Sequence, residues 1–585
     1  MQTPVPNPDM KRRYASPRRQ YGVFFLFLGL LALGACEFGT GQTPEWLARF
    51  EKPKETVTDA AIPRLSVGGQ DGFFGAVVAD EPLAAVAARN VLAAGGTAVD
   101  AVVALYFSLS VTYPAAASLG GGGVCLVYDW ENQEVAVLDF LRPLPTTDAT
   151  QPGLVPGNVS GMATLHQRFR GKAWNDLIQP AETYAKEGIR VSKALAQTLD
   201  QESGHLLSHT ETRHLLADHE GRILREGDRL HQFELASTLK YIRTLGPASF
   251  YRGTIAKKLT KASEARGGGV NHGQLGDFRA PWRPPLKRPF GQDTLYTAGS
   301  TGGRALVRMW EMLTQDQRYQ TASADARPHL LAEISMRAFA GVNKKGGRED
   351  WMEDFDPQGH LPVERLPFAP VALPEDPATT SYAVVDRKGL AVICSHTMYR
   401  PFGTGAVVPG TGIFFAGPMA PANDIGLAPM LVMRDVGKKQ IPKSGESAGF
   451  LDTETVDPLD YAEGAAQPFI RVDPVFLGAP SGGAASVAAL AEVAAEVLLG
   501  EQSLADALAA PRLYHGGLPD VVSVEETLGA ERTQGLLELK HQVKPVAELG
   551  RVNAIACAQG VRLGPENCEA ENDPRGFGYG LGTKE

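Results

Sequence analysis

The chain has 585 residues, 43% of them hydrophobic and 21% charged, enough to bury one large core or two ordinary ones. A net charge of −9 leaves no basic footprint, which argues against a nucleic-acid partner. The 64 glycines cluster at Gly120–Gly123, Gly267–Gly269, Gly302-Gly303 and Gly482-Gly483 between apolar segments, a pattern of tight backbone turns rather than low complexity.

The N-terminus reads as an address. Met10–Arg19 is basic, and Tyr21–Leu33 is an apolar run shorter than the ~20 residues of a comfortable transmembrane helix. It ends in Leu33-Gly34-Ala35-Cys36, which resembles a bacterial lipobox. That resemblance implies a signal peptide over 1–35, cleavage before Cys36 and lipid on its thiol, which would hold an exported body at a membrane facing the periplasm. Residues 36–69, polar with scattered prolines, read as a tether.

Further along, Cys125 and Cys394 lie in apolar runs and are most simply buried hydrophobes. From Ser381 an apolar stretch turns at Asp386-Arg387-Lys388-Gly389 and continues Leu390–Cys394. This predicts a hairpin with both strands covered on both faces. Gly445-Glu446-Ser447-Ala448-Gly449 matches the G-x-S-x-G elbow of serine esterases, and His515-Gly516-Gly517 resembles their oxyanion motif. The elbow lacks the strand before it and the helix after it, and the HGG follows the serine instead of preceding it. Residues Val475–Leu477 predict a strand, Gly482-Gly483 a turn, and about Ala484–Leu499 an alanine-rich helix stopped by Gly500. Two glycines entering a helix expose N–H groups beside a positive dipole end, a natural oxyanion cradle. Cys557 and Cys568 stand eleven apart across a Gly-Pro turn, and in an exported chain they can pair or stay free. There is no CxxC or HExxH and the 12 histidines are scattered, so neither metal nor other cofactor is expected.

Taken in order, these segments resemble the γ-glutamyltranspeptidase family of N-terminal-nucleophile hydrolases over most of the chain. The motifs that carry the resemblance are GAVVAD (Gly75–Asp80), AGGTAVDAVV (Ala94–Val103), SLGGGG (Ser118–Gly123), Val155-Pro156-Gly157 with Gly161, and FYRG (Phe250–Gly253). Gly302-Gly303, TTSYAVVD (Thr379–Asp386), PGTGI (Pro409–Ile413), VNAI (Val552–Ile555) and Asp573-Pro574-Arg575 with Gly578-Tyr579 follow. Residues 315–373 match poorly. The resemblance implies an α+β fold, a four-layer αββα sandwich made as a precursor. It implies cleavage between Ala378 and Thr379 into a large subunit (70–378) and a small one (379–585). Thr379 would be the nucleophile, its freed α-amine (pKa ~7.7) the base, Thr397 a supporting hydroxyl, and Gly482-Gly483 the oxyanion pair. The partner implied is a small-molecule amide, nominally glutathione or another γ-glutamyl compound.

Substrate-gripping residues depart from the family pattern. Ser381 replaces a histidine, and Ser481 is an extra residue before the glycines. Arg142, the candidate carboxylate clamp, comes one residue late after Asp139-Phe140, which on a strand would turn it to the other face. Tyr399 stands for an asparagine, Pro418 and Pro421 for the groups that hold the α-amine, and about Ile425-Gly426 for a serine pair. Losing three charge-assisted hydrogen bonds would cost about 5–8 kcal/mol, some three to six decades of affinity. The lid after PGTGI is short, and an acidic insertion occupies about 434–474. Three readings stay open: a self-processing amide hydrolase or acyltransferase with altered acyl specificity, a silent lipoprotein of the same fold that binds or scaffolds, and, last, an unrelated serine hydrolase.

Overall fold

The computed structural model describes residues 74–146, 148, 150–315, 317–342, 355–366, 378–418, 422, 424–435, 472–500, 502–562 and 568–582. All belong to one compact unit, Val67–Glu585. The expected signal peptide, Cys36, the tether, Pro421, the Gly445–Gly449 elbow and residues 436–471 of the insertion lie outside the described residues. Among the described residues no helix is long and apolar enough to cross a membrane.

Every residue of the strand Gly75–Ala79 is buried, which requires cover on both faces. Ala76 and Val78 join a core with Leu427, Leu431, Leu477 and Ile555. Val77 and Ala79, on the opposite face, join a core with the helices Pro82–Ala93 and Ala98–Thr112. The same alternation holds across two antiparallel sheets. The first has seven strands, in the order Tyr579–Gly582, Gly75–Ala79, Thr379–Asp386, Ala391–Thr397, Gly122–Asp129, Glu134–Asp139 and Trp282–Arg283. The second has six, in the order Cys568–Glu571, Arg551–Cys557, Val472–Ser481, Met430–Asp435, Asp293–Thr297 and Leu286–Phe290. Its outer face, with Leu295, Val432, Phe476 and Val552, packs on the helices Thr301–Thr314, Arg327–Ala340 and Ala484–Leu498. Helices, sheet, sheet and helices give the four-layer αββα sandwich, an α+β fold.

Local chemistry fixes the central pieces. The helix Ala98–Thr112 starts in a capping box formed by Thr97 and Asp100. Asp386, at the hairpin turn, accepts the Ala98 N–H at 3.0 Å as well as the Lys388 and Leu390 N–H groups of its own turn. The hairpin therefore forms as its apolar pattern predicts, with Gly389 at φ 88°. Its first strand begins at Thr379 itself. The strand expected at 475–477 extends over Val472–Ser481, paired with Met430–Asp435, so the insertion connects two neighbouring strands.

Two expectations change. Cys125 and Cys394 are not separate buried thiols: they sit directly opposite on adjacent strands and form a disulfide, a contact hidden by 269 residues of separation. Cys557 and Cys568, opposite on another antiparallel pair, form a second. The histidines, scattered in sequence, also converge: His329, His360, His515 and His541 meet beside Glu333 and Asp520.

Candidate active site

Thr379 opens its strand at the centre of the first sheet and is 2% exposed. The Gly482 N–H donates to Thr379 Oγ1 at 2.9 Å. Gly482 and Gly483 have φ of 104° and 79°, conformations open to glycine, and they lead from the strand Val472–Ser481 into the helix Ala484–Leu498. On the hairpin ladder Thr379 pairs with Thr397. The Met398 N–H donates to the Ala378 carbonyl at 3.0 Å, so the peptide before Thr379 is held on its acceptor side. Thr397 Oγ1 accepts the Tyr399 N–H at 2.9 Å. The expected set Ala378, Thr379, Thr397 and Gly482 thus converges, with Gly483 next in the turn.

Neighbouring His396 faces away. Its ring stacks on Tyr106, with Nε2 2.8 Å from the Tyr382 hydroxyl and Nδ1 3.1 Å from Asn158 Oδ1. Burial pushes its pKa down to about 3, and strand alternation points it opposite to Thr397. It is a neutral core histidine.

A carboxylate missed in the sequence ties the two sheets together. Asp80, 7% exposed, closes the apolar strand Gly75–Ala79. Its Oδ2 accepts the Thr380 hydroxyl at 2.8 Å and the Ser481 hydroxyl at 2.6 Å, while Oδ1 accepts Asn553 Nδ2–H at 2.7 Å. Thr380 follows Thr379 and Ser481 precedes Gly482, so one side chain grips both flanks of the Thr379–Gly482 contact. Ser481 Oγ also accepts the Ser381 N–H at 3.0 Å. The only sequence signal is a single acid ending an apolar strand.

At the rim, the strand Glu134–Asp139 ends before Arg142, so strand alternation does not govern that side chain as the sequence reading supposed. Arg142 is exposed, and its carbonyl accepts the Val155 N–H. Among the described residues no hydrogen bond or ion pair joins Arg142 to Thr379 or Tyr399. Tyr399 is 3% exposed and left-handed at φ 60°. Burial first, then the carboxylates of Asp424 and Asp139, push its hydroxyl pKa up. Burial, with Asp424 adding to it, also raises Asp139. The surroundings of Tyr399 are therefore acidic. Gly426 lies against Thr379: a Cβ there would stand 2.7 Å from Thr379 Cγ2 and 2.9 Å from Oγ1.

The sequence profile described as Gamma-glutamyltranspeptidase matches residues 84–356 and 473–583; the span between them holds Thr379 and Thr397. The glutathione hydrolase proenzyme of Pseudomonas aeruginosa is 30% identical over 559 residues, covering 87% of this chain and 95% of that protein. The glutathione hydrolase proenzyme of Escherichia coli K12 is 27% identical over 566 residues, covering 88% and 93%. Among solved structures, the cephalosporin acylase from Bacillus halodurans superposes with a TM-score of 0.67 at 20% identity, covering 90% of this chain and 98% of that one. That likeness speaks to the fold, and together with the profile and the relatives it places the sandwich among the N-terminal-nucleophile hydrolases. The chain belongs to the γ-glutamyltranspeptidase family of hydrolases and transferases.

Proposed function

We propose that the chain is made as a precursor that cuts itself between Ala378 and Thr379, and that Thr379 then acts as the N-terminal nucleophile of an amide hydrolase or acyltransferase. The observation that carries this reading is the Gly482 N–H on Thr379 Oγ1 at 2.9 Å. It couples a hydroxyl at a strand start to an amide donor at the entry of a 15-residue helix. In the precursor, Oγ1 adds to the Ala378 carbonyl carbon while the C–N bond breaks, leaving an ester and a free α-amine. Water then cleaves the ester and releases the Ala378 carboxylate. The Met398 N–H, already on that carbonyl oxygen, is placed to hold the charge that develops there.

In the mature protein the Thr379 α-amine takes the Oγ1 proton. Oγ1 adds to the substrate amide carbon, and the Gly482 and Gly483 N–H groups receive the oxyanion. The leaving amine departs with the proton, and water or an acceptor amine releases the acyl group. Thr397 supports the strand opposite. The subunits would be residues 70–378 and 379–585.

Glutathione or another γ-glutamyl compound is the nominal substrate, by analogy with the glutathione hydrolase relatives. The residues at 418, 425 and 426 and the acidic surroundings of Tyr399 support a shifted acyl preference, with Arg142 the remaining candidate cation. Two disulfides support an exported protein; the lipid anchor on Cys36 and the periplasmic face rest on the lipobox-like Leu33–Cys36. A second reading, a silent lipoprotein that binds or scaffolds, draws on Gly426, which packs on Thr379 where the family places a serine.

The test is intact mass of the purified protein, reduced and denatured. Two fragments, the smaller starting at Thr379, are expected, with Thr379→Ala leaving one chain. A single wild-type chain would overturn the self-processing reading and favour the scaffold. Glutathione, γ-glutamyl anilides and β-lactam side-chain amides would then sort the acyl preference.

A further inference from the structure

Residues 315–373, expected to match the family poorly although its profile runs through residue 356, contribute half of a buried histidine cluster. On the helix Arg327–Ala340, His329 and Glu333 stand one turn apart on the same face. They are 4% and 0% exposed. His541, 3% exposed, reaches them from beyond the helix Ala530–Glu538. One ligand atom from each of His329, His541 and Glu333 lies within 4.8 Å of the other two. The two nitrogens are 2.7 Å apart, and His541 Nε2 is 3.9 Å from Glu333 Oε1.

The proton positions decide which atoms can ligate. His329 Nε2 is 2.9 Å from the Asp356 carbonyl oxygen. A carbonyl can only accept, so Nε2 carries the hydrogen and Nδ1 presents a lone pair, which accepts the His541 Nε2–H at 2.7 Å. A metal ion on His541 Nε2 requires that proton to move to His541 Nδ1, which is buried with no hydrogen-bond partner among the described residues. A second triad fails this test. His515 Nδ1 accepts the Gly517 N–H at 3.1 Å, so Nε2 holds the proton it gives to Asp520 Oδ1 at 2.9 Å. Its lone pair is spent. The HGG motif, unused by the proposed chemistry, here orients that histidine.

We propose that His329 Nδ1, His541 Nε2 and Glu333 Oε1 form a binding site for one divalent transition-metal ion, with zinc the best match. Two imidazoles and one carboxylate suit this borderline ion, and its bonds of about 2.0–2.1 Å set tetrahedral ligand atoms about 3.3 Å apart. The observed 2.7 and 3.9 Å, with the third pair within 4.8 Å, bracket that spacing, and side-chain shifts of about 1 Å would meet it. The outer layer is in place. The Asp356 carbonyl orients His329, Arg337 pairs with Glu333 Oε2, and His360 bridges Glu333 Oε1 at 2.6 Å to Asp520 Oδ1 at 2.9 Å. Such outer partners fix tautomer and orientation at metal centres. The site sits in the helical layer outside the second sheet, and its buried ligands suit a structural ion clasping the 327–340 helix to the 355–366 segment and the His541 loop.

The experiment uses the full chain, stripped with chelator and equilibrated with zinc chloride alone, with metal content read by mass spectrometry. One equivalent retained after dialysis is expected, with a melting temperature raised by a few degrees. His329→Ala and His541→Ala should each weaken uptake at least tenfold, while His219→Ala, on an exposed side chain, leaves it unchanged. X-ray absorption of the zinc-loaded wild type should read two imidazoles and oxygen near 2.0 Å, which keeps the test decisive if the alanine variants do not fold. No stoichiometric zinc, a different ligand shell, or uptake that survives both variants would overturn the proposal. The cluster would then be a hydrogen-bonded chain only.

Discussion

Removing the Asp80 carboxylate should cripple the stability of this protein and, if the chain cuts itself before Thr379 as proposed, its self-cleavage. Three side-chain donors converge on it, the Thr380 and Ser481 hydroxyls and Asn553 Nδ2–H at 2.6–2.8 Å, with the Ser381 N–H at 3.4 Å. They come from three strands in both sheets. A hydrogen bond to a charged group contributes roughly 1.5–3 kcal/mol, and a buried donor left unpaired costs about 1–3 kcal/mol. Water can enter the vacated space and the terms do not add, so Asp80→Ala should cost about 4–6 kcal/mol. Asp80→Asn keeps the shape. Its amide can donate to Thr380 Oγ1 and Ser481 Oγ, whose hydroxyls rotate to accept, while its oxygen still accepts from Asn553. That variant should cost only about 1–2 kcal/mol. Chemical denaturation gives these differences. Misplacement of a reacting group by about 1 Å can cost ~100-fold in rate. Self-cleavage, followed on reducing gels, should therefore slow by about that factor in Asp80→Ala and by less than about tenfold in Asp80→Asn. An alanine variant that melts and cuts like wild type would refute the view that this carboxylate positions Thr379 and Gly482.

Gly426→Ala puts a Cβ 2.7–2.9 Å from the Thr379 side chain; self-cleavage should fall at least about tenfold with little change in denaturation midpoint, measured as cut fraction against time. Burial lifts the Glu492 carboxyl from 4.5 to about 8. Between those values the unfolded chain has lost this proton and the folded one keeps it, so stability falls by up to about 1.4 kcal/mol per pH unit as pH rises. Glu492→Gln should thus match wild type near pH 4.5 and exceed it by a few kcal/mol at pH 8, and a pH-independent difference in denaturation would count against this. If the chain is cut after Ala378, the Cys125–Cys394 disulfide joins the two subunits. Non-reducing gels should then show one band of full mass where reducing gels show two, and two bands under both conditions would exclude the link.

How much of this was legible in the sequence depended on distance along the chain. The hairpin 379–397 declared itself because both strands are continuously apolar and Asp386 with Gly389 marks the turn. The Gly482-Gly483 turn was readable as a donor cradle because an apolar strand precedes it and an alanine-rich helix follows. Neither needs knowledge of a remote partner. The Cys125–Cys394 pair was not readable, since each cysteine alone looks like any small apolar residue in a strand. The histidine cluster draws on the 327–340 helix, the 355–366 segment, the strand end near 515 and the loop at 541. No local spacing announces it, and only packing brings the rings together.

Ser381 and Ser481 carry the same lesson further, because read singly each looks like damage: a histidine lost, and a residue too many before the glycines. The fold makes them partners. Ser381 shares its strand face with Ala383 and Val385, which point between the sheets. Its Oγ lies 2.5 Å from the Pro480 carbonyl and 2.8 Å from Ser395 Oγ, and its N–H reaches Ser481 Oγ at 3.0 Å. One hydroxyl proton can go to the carbonyl while Ser395 donates back, so all these polar groups are served in a site closed to water. A histidine at 381 would run into the Pro480 carbonyl that now lies 2.5 Å from Ser381 Oγ. The small side chain admits the extra residue, and the extra residue returns a hydroxyl to Asp80. The two departures are therefore one repacking, in which Ser481 is seated and Gly482 is brought onto the Thr379 hydroxyl.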